Sequence, residues 1–181
     1  VLTDGYASIS YAYNEAGRLT DLYYYDGEGK PALFKGSTHT VRTYDAAGNM
    51  TSEVYYAAAE GGEEASFHPE GYHGMSYTYD SGNHRLTERF LGAQGEVLFL
   101  AAKGYAGINH AYDAAGNSIL DAYVDADENP VAISTGTSEV RRTYNERKQK
   151  VEDSYWKLSG EPNVLTDGYA SISYAYNEAG R

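Results

Sequence analysis

The chain has 181 residues, 41% hydrophobic and 22% charged, which gives it the length and apolar content of a folded domain with a sizeable core and excludes a disordered tail. Twenty-six acidic residues against 14 basic ones leave a net charge of −12, which repels phosphate backbones and anionic headgroups and excludes nucleic acid as an expected partner. There is no cysteine, hence no disulfide framework, and the longest apolar run, 97–102, falls far short of the ~20 residues of a membrane-crossing helix, so no membrane insertion is expected.

Residues 7–14, ASISYAYN, alternate, with Ile9, Tyr11 and Tyr13 on one face and Ser8, Ser10 and Ala12 on the other; this is the period of a half-buried strand. NEAG (14–17) then reverses the chain, Asn bonding the backbone ahead of it and Gly accepting positive φ. RLTDLYYYD (18–26) reads as the returning strand. DGEGKP (26–31) is a second turn, whose Pro31 marks a strand edge, and PALF (31–34) leads to Gly36. The same order recurs. Tyr13, Tyr44, Tyr79, Tyr112, Tyr144 and Tyr176 are spaced by 31, 35, 33, 32 and 32 residues, within the range of array repeats. A second aromatic column runs through Tyr24, Tyr55, Phe90, Tyr123 and Tyr155. The turn residue after the first strand is Gly in most units, Asn83 in the third and an ill-suited Lys148 in the fifth. The expected fold is all-β: one continuous tandem array of antiparallel β-hairpins, an elongated spiral or solenoid-like sheet. Its units run approximately 5–35, 36–70, 71–103, 104–135, 136–167 and, in part, 168–181. The stretch 137–159 has no Gly or Pro and matches helical periodicity when read alone, but its Val140, Tyr144 and Tyr155 fall on the columns of the other units, so a strand pair is predicted there too.

The motifs YAYNEAGRLTD (11–21), RTYDAAGNMTSE (42–53), YTYDSGNHRLTE (77–88) and HAYDAAGNSILD (110–121) resemble the Tyr-Asp repeats of Rhs proteins, teneurins and toxin-complex shells. That resemblance implies hairpins wound into a spiral sheet, in a secreted or cell-surface protein. The period here is longer than the ~20 residues of those repeats, and five units are too few for a closed shell, which counts against toxin encapsulation. YYYDGEGKP (23–31) is more weakly similar to the aromatic cell-wall-binding hairpins of Gram-positive surface proteins.

No motif for catalysis is present, and no catalytic residue, cofactor or metal ligand is assigned; the chain is not expected to be an enzyme. HPEGYHG (68–74) matches no zinc spacing, and DADEN (125–129) lacks the downstream Glu of a calcium loop and reads as an Asx turn. The surplus aromatics Tyr23, Tyr25, Tyr56 and Trp156, near the end of the second strand, are candidates for stacking on a sugar, although packing of the repeat's own sheet is favoured. Two roles follow: a non-catalytic structural segment of an extracellular stalk or filament, or an adhesin-like carbohydrate or surface-ligand module. The expected partners are neighbouring repeats or further copies head to tail, with glycans in the second role.

Tyr13, Tyr44, Tyr79, Tyr112 and Tyr144 are expected to be buried in a structural column that Tyr176 continues, with Tyr112→Ala costing ~3 kcal/mol. Residues 1–18 reappear unchanged as 164–181, which predicts a superunit of five repeats within a longer tandem array, continuing after Arg181 with a copy of the second strand, or completed by the next subunit. Chelation is expected to leave the thermal melting curve unchanged; a fall in Tm under EDTA would reveal ligands in HPEGYHG or DADEN.

Overall fold

A computed structural model describes residues 5–177 and 179–180. Among these residues there are twelve strands and no helix: β1 (Ser8–Tyr13), β2 (Leu19–Tyr25), β3 (His39–Tyr44), β4 (Met50–Ala59), β5 (Gly62–Ala65), β6 (Gly74–Tyr79), β7 (Arg85–Leu91), β8 (Gly107–Tyr112), β9 (Ser118–Val124), β10 (Glu139–Tyr144), β11 (Lys150–Trp156) and β12 (Ser171–Ser173). They follow one another in the sheet in sequence order, with β5 set aside on β4. The chain is thus an all-β array of antiparallel hairpins. The stretch 137–159 is the β10–β11 hairpin, so the repeat register prevails over local helix propensity.

One compact unit extends to Thr78 and includes Glu88–Leu98; the other comprises Tyr79–Thr87 and the chain from Phe99 onward. In the first, β1 pairs with β2 so that Ile9 faces Tyr24, β3 pairs with β4 so that Thr40 faces Tyr55, and the hairpins join with Tyr23 opposite His39. In the second, Ile108 faces Tyr123, Val140 faces Tyr155, and Glu139 stands opposite Ala122.

Each hairpin reverses on an acidic or amide residue. Asp45 and Asp113 accept the backbone N–H of Asn49 and Asn117 on Oδ1, both at 2.8 Å, and Asn145 does the same for Gln149 at 3.0 Å. Two residues before the returning strand the backbone takes positive φ, which costs nothing at Gly116 (82°) but puts Asn83 (65°) and Lys148 (58°) in the left-handed region. The glycines that open the units lie in a further turn. At Gly36 (φ 88°) an added Cβ would overlap the Phe67 carbonyl oxygen, so both the backbone angle and the space demand glycine.

The core is aromatic and thin. Tyr24 and Phe90 are buried at 7% and 5% exposure. Tyr24 packs against Tyr6 and Phe34 with ring centroids 5.4 and 5.0 Å away, Phe90 against Tyr72 at 5.0 Å, and Tyr123 against Tyr105 at 5.0 Å. Tyr6, Tyr72 and Tyr105, each directly after a glycine at the start of its unit, are therefore the partners of the second-strand aromatics.

The first tyrosine column does not form a buried core. Tyr13 is 60% exposed and Tyr176 38% exposed, while Tyr44, Tyr79, Tyr112 and Tyr144 are half-buried. The cause is a register shift just before the tyrosine, between Ala12 and Tyr13, Thr43 and Tyr44, Ala111 and Tyr112, and Thr143 and Tyr144. Such a bulge re-aims the side chain out of the regular alternation. The hydroxyl then donates to a main-chain carbonyl of the preceding hairpin: Tyr44 to Leu19 (2.7 Å), Tyr112 to Arg85 (2.9 Å), Tyr144 to Ser118 (3.0 Å) and Tyr176 to Lys150 (2.7 Å).

Urea denaturation is expected to separate the two columns. Phe90→Ala should cost ~3–5 kcal/mol as a buried aromatic truncation, whereas Tyr13→Ala should stay within ~0.5 kcal/mol. Tyr112→Phe, which deletes one hydrogen bond and keeps the ring, should cost about 1 kcal/mol. A Tyr13→Ala variant as damaged as Phe90→Ala would contradict this division.

Candidate functional site

Strand alternation places Tyr23 and Tyr25 on the face opposite Tyr24. That face of the first unit centres on His39, only 6% exposed and on β3 between β2 and β4. Tyr23 stacks on its imidazole at 4.0 Å and 13°, and Tyr56 lies 6.0 Å away on the other side. His39 Nε2 is 3.0 Å from Asp21 Oδ1, and Nδ1 is 3.0 Å from Glu63 Oε2 on β5. Tyr56 also meets His73 edge-on at 5.2 Å. Of the candidate stacking residues, Tyr23 and Tyr56 are thus brought together with their rings engaged by histidines. Tyr25 is half-buried, its hydroxyl 3.5 Å from Ser10 Oγ. Trp156 belongs to the other unit, where the Arg141 guanidinium lies 4.3 Å over its ring and its Nε1–H donates to Ser154 Oγ at 3.0 Å.

The face that carries the aromatic core also holds charge in register. Arg42 stands opposite Glu53, His110 opposite Asp121, and Arg142 opposite Asp153. Arg42 Nε donates to Glu53 Oε2 at 2.7 Å, and Tyr55 donates its hydroxyl to Glu53 Oε1 at 2.6 Å. Asp121 takes His110 Nδ1 at 2.7 Å and the Arg142 guanidinium. Asp153 takes Lys150 Nζ at 2.6 Å and the Tyr174 hydroxyl at 2.7 Å. Burial would raise Asp121, but the hydrogen bonds from His110 and Arg142 outweigh it and hold the carboxyl below its usual range. Asp153 is lowered in the same way, with Lys150 and Tyr174 overcoming desolvation. The Tyr55 hydroxyl is pushed far up by burial first and by its bond to Glu53 second.

These pairs were absent from the candidate residues read in the sequence, although a signal was there. Glu53, Glu88, Asp121 and Asp153 recur two residues before the second-strand aromatic, on its own face, where an alternating strand should bury apolar groups. A shallow cavity beside this ladder in the second unit is lined by Tyr79, Arg85, His110, Tyr112, Asp121 and Arg142. Ser118 also lines it, and its hydroxyl accepts from the Arg142 guanidinium at 3.4 Å. What the arrangement does chemically is to neutralise carboxylates between hairpins.

The two segments weighed as metal sites use their side chains locally. His68 stacks on Tyr72 at 4.7 Å, and His73 Nδ1 is 2.9 Å from the Ser66 carbonyl oxygen. Asp125 Oδ1 accepts the N–H groups of Asp127 and Asn129, both at 2.9 Å, forming an Asx turn. Among the described residues no cluster of three His, Asp or Glu side chains is placed to hold a metal.

Strand order, turn chemistry and interlocking tyrosines define a tandem β-hairpin repeat array. No protein-family model matches the sequence, and no curated protein is significantly similar to it. Among solved structures, the chain is similar over 93% of its length to the crystal structure of TcdB2-TccC3 without hypervariable C-terminal region, with TM-score 0.53 and 15% identity. It spans only 7% of that chain. The likeness is lower to TcdB2-TccC3-Cdc42, with TM-score 0.40 and 14% identity over 93% of this chain and 8% of that one. For TcdB2-TccC3-TEV the values are 0.32 and 13%, over 95% and 10%. The first of these likenesses shows a shared fold.

A carboxylate whose folded pKa is depressed adds stability above its unfolded pKa, and that stability is lost as pH falls through the folded value. Stability is therefore expected to be level from pH 7 to about 5 and to decline below about 4, near the unfolded aspartate value. Asp121→Asn should cost about 2 kcal/mol at pH 7 by depriving Arg142 and His110 of a charged partner, and should flatten the acid decline. Guanidinium titrations at several pH values measure both, and an unchanged acid limb in Asp121→Asn would remove Asp121 from the account.

Proposed function

We propose that the chain is a non-catalytic structural segment, a length of stalk or filament in a secreted or cell-surface protein, in which neighbouring repeats are the principal partners. The observation that carries this reading is the tyrosine hydroxyl of one hairpin bonded to the main chain of the hairpin before it, four times over at 2.7–3.0 Å. A side chain at a fixed register position is committed to joining units. The charged pairs support the same reading, since Arg142 reaches Asp121 on the preceding hairpin and Tyr174 reaches back to Asp153. In such arrays stability is a sum of unit and nearest-neighbour terms, so units can be added without redesigning a shared core. The Tyr-Asp motifs and the fold shared with TcdB2-TccC3 agree with a structural role. The secreted location rests on the resemblance to Rhs proteins and teneurins.

A second reading, glycan binding, is favoured by Tyr25, whose half-exposed ring lies beside a serine hydroxyl. Repetition would then supply avidity.

Concatemers test the first reading. Joining one, two and three copies of the block defined by the 163-residue offset between Val1 and Val164 should lengthen the particle in proportion, measured by small-angle scattering, and raise its melting temperature. A particle that stays equally compact as blocks are added would defeat the stalk. Binding on a glycan array that disappears in Tyr25→Ala would favour the second reading instead.

A further inference from the structure

The residue after the opening glycine is Tyr6, Tyr72, Tyr105 and Tyr169 in four units, but Ser37 and Thr137 in the other two. Where the tyrosine is present it stands between successive second-strand aromatics: the Tyr72 ring centroid is 6.1 Å from that of Tyr55 and 5.0 Å from that of Phe90. Ser37 therefore withdraws a ring from the space between Tyr24 and Tyr55. The facing core position is reduced as well, since the column of Ile9, Met75, Ile108, Val140 and Ile172 holds Thr40 in this unit. In the fifth unit the protein fills its own gap, the Asn163 amide donating to Thr137 Oγ1 at 2.9 Å and to the Thr135 carbonyl at 3.0 Å. The counterpart of Asn163 is Ser66, for each donates its N–H to the carbonyl of its second-strand aromatic, Tyr155 and Tyr55. Ser66 turns its hydroxyl to the Gly36 carbonyl instead. A cavity of about 200 Å³ results, lined by both rings, both hydroxyl residues, Phe34 and the charged Lys35, Arg42 and Glu53. Lys35 and Gly36 form a tight reversal at φ 48° and 88°, closed by the Phe34–Ser37 pair. Such turns favour Asn, Asp or Gly, so Lys35 is held there at a conformational cost. Its ammonium lies 5.4 Å from the Phe34 ring centroid. Three departures from the repeat thus surround one cavity, and rule-breaking residues that converge on one place mark a functional site.

We propose that this cavity holds one carboxylated sugar ring, a hexuronate unit of an acidic glycan. Its volume is below the ~300–1,000 Å³ of pockets for drug-sized ligands, which limits the occupant to about one ring. The apolar face of the sugar packs on the Tyr55 ring, in the space that a tyrosine takes in other units. The carboxylate meets Lys35 Nζ and the Arg42 guanidinium, which commits Nε to Glu53 at 2.7 Å and has further N–H donors. Glu53 accepts from Arg42 and Tyr55, and its remaining lone pairs take a sugar hydroxyl, which benzoate could not offer. Ser37 Oγ donates to the Phe34 carbonyl at 3.2 Å and accepts from a second hydroxyl. Two cations against one carboxylate admit an acidic ligand to a chain whose net charge is −12. The cavity is on the aromatic-core face, opposite Tyr25, so it does not rest on the glycan reading given above, and either can fail while the other holds.

NMR titration of the full chain with glucuronate tests this. Saturable shift changes should gather at Ser37, Thr40 and Tyr55, with a dissociation constant of order 1 mM, as expected for a single ring held by a few contacts. Methyl glucoside, which lacks the carboxylate, and benzoate, which lacks the hydroxyls, should each bind about tenfold more weakly or worse. K35N removes a cation and suits the turn, so it should weaken glucuronate about tenfold or more without lowering Tm. S37Y restores the ring that other units carry, and should abolish binding while raising Tm, which separates loss of binding from loss of fold. The proposal is overturned if glucuronate gives no saturable shift by about 10 mM, if the shifts gather at Tyr25 instead, or if benzoate binds as well as glucuronate. It is also overturned if K35N or a folded S37Y binds glucuronate as the unaltered chain does.

Discussion

The structure is suspended from one backbone position, the aromatic residue of each second strand. Tyr24 donates its N–H to the Thr38 carbonyl of the next hairpin (2.9 Å) and accepts the Ala32 N–H of its own connecting segment (2.9 Å). Tyr123 does the same with Ser138 (3.0 Å) and Val131 (3.0 Å), and Tyr155 with Ala170 (2.9 Å) and Asn163 (2.8 Å). Three pieces of chain meet at that residue, so a large ring there shields bonds that would otherwise compete with water. The turns deliver the segments to this meeting point. The thinness of the core follows as well: a single layer of sheet has little depth to bury, and aromatic area replaces depth.

A core so shallow leaves room for charge where a thicker domain would not tolerate it. The carboxylates of Glu53, Asp121 and Asp153 share a face with the aromatics, yet each meets a cation or a hydroxyl donor from the facing strand or an adjoining hairpin. Half-buried pairs of this kind contribute modestly when complete and cost far more when one partner is removed. They act chiefly against misregistration, because sliding a strand by one residue would move a carboxylate to the other face and leave an arginine alone. The acidic net charge is therefore organised, with part of it held between hairpins and part on the turns, where Asp45, Asp113 and Asp125 hold the backbone.

Much of this was legible in the sequence. The period of the tyrosines, the alternation in ASISYAYN and the turn signatures together give the hairpins, and the same register assigns 137–159 to strands despite its helical pattern. The tyrosine column was legible as a repeat but not as a position, because its place depends on a bulge of one residue that leaves no composition signal. The His39 cluster was beyond reach for a different reason. It draws on Asp21 from β2 and Glu63 from β5, and β5 exists in one unit only, where Gly61 and Gly62 let the strand pair return on itself. A feature without a counterpart in the other units cannot be found by aligning units. Tyr23 and Tyr56 stood out as surplus aromatics, but their partners His39 and His73 lie elsewhere in the chain and become neighbours only through strand pairing.

The tyrosine that joins two hairpins addresses a main-chain carbonyl, at Leu19, Arg85, Ser118 or Lys150. The receiving residue's identity is immaterial, since every amino acid presents that oxygen. The joint is consequently indifferent to what its neighbour spells. At this joint, unlike at the Arg142–Asp121 pair, mutation can rewrite one hairpin without obliging a matching change in the next, and unequal crossing-over can duplicate or delete whole units while the tyrosine still finds an acceptor. A joint of this kind imposes almost no covariation across its seam, so lineages built on it should differ in repeat number more readily than in repeat design.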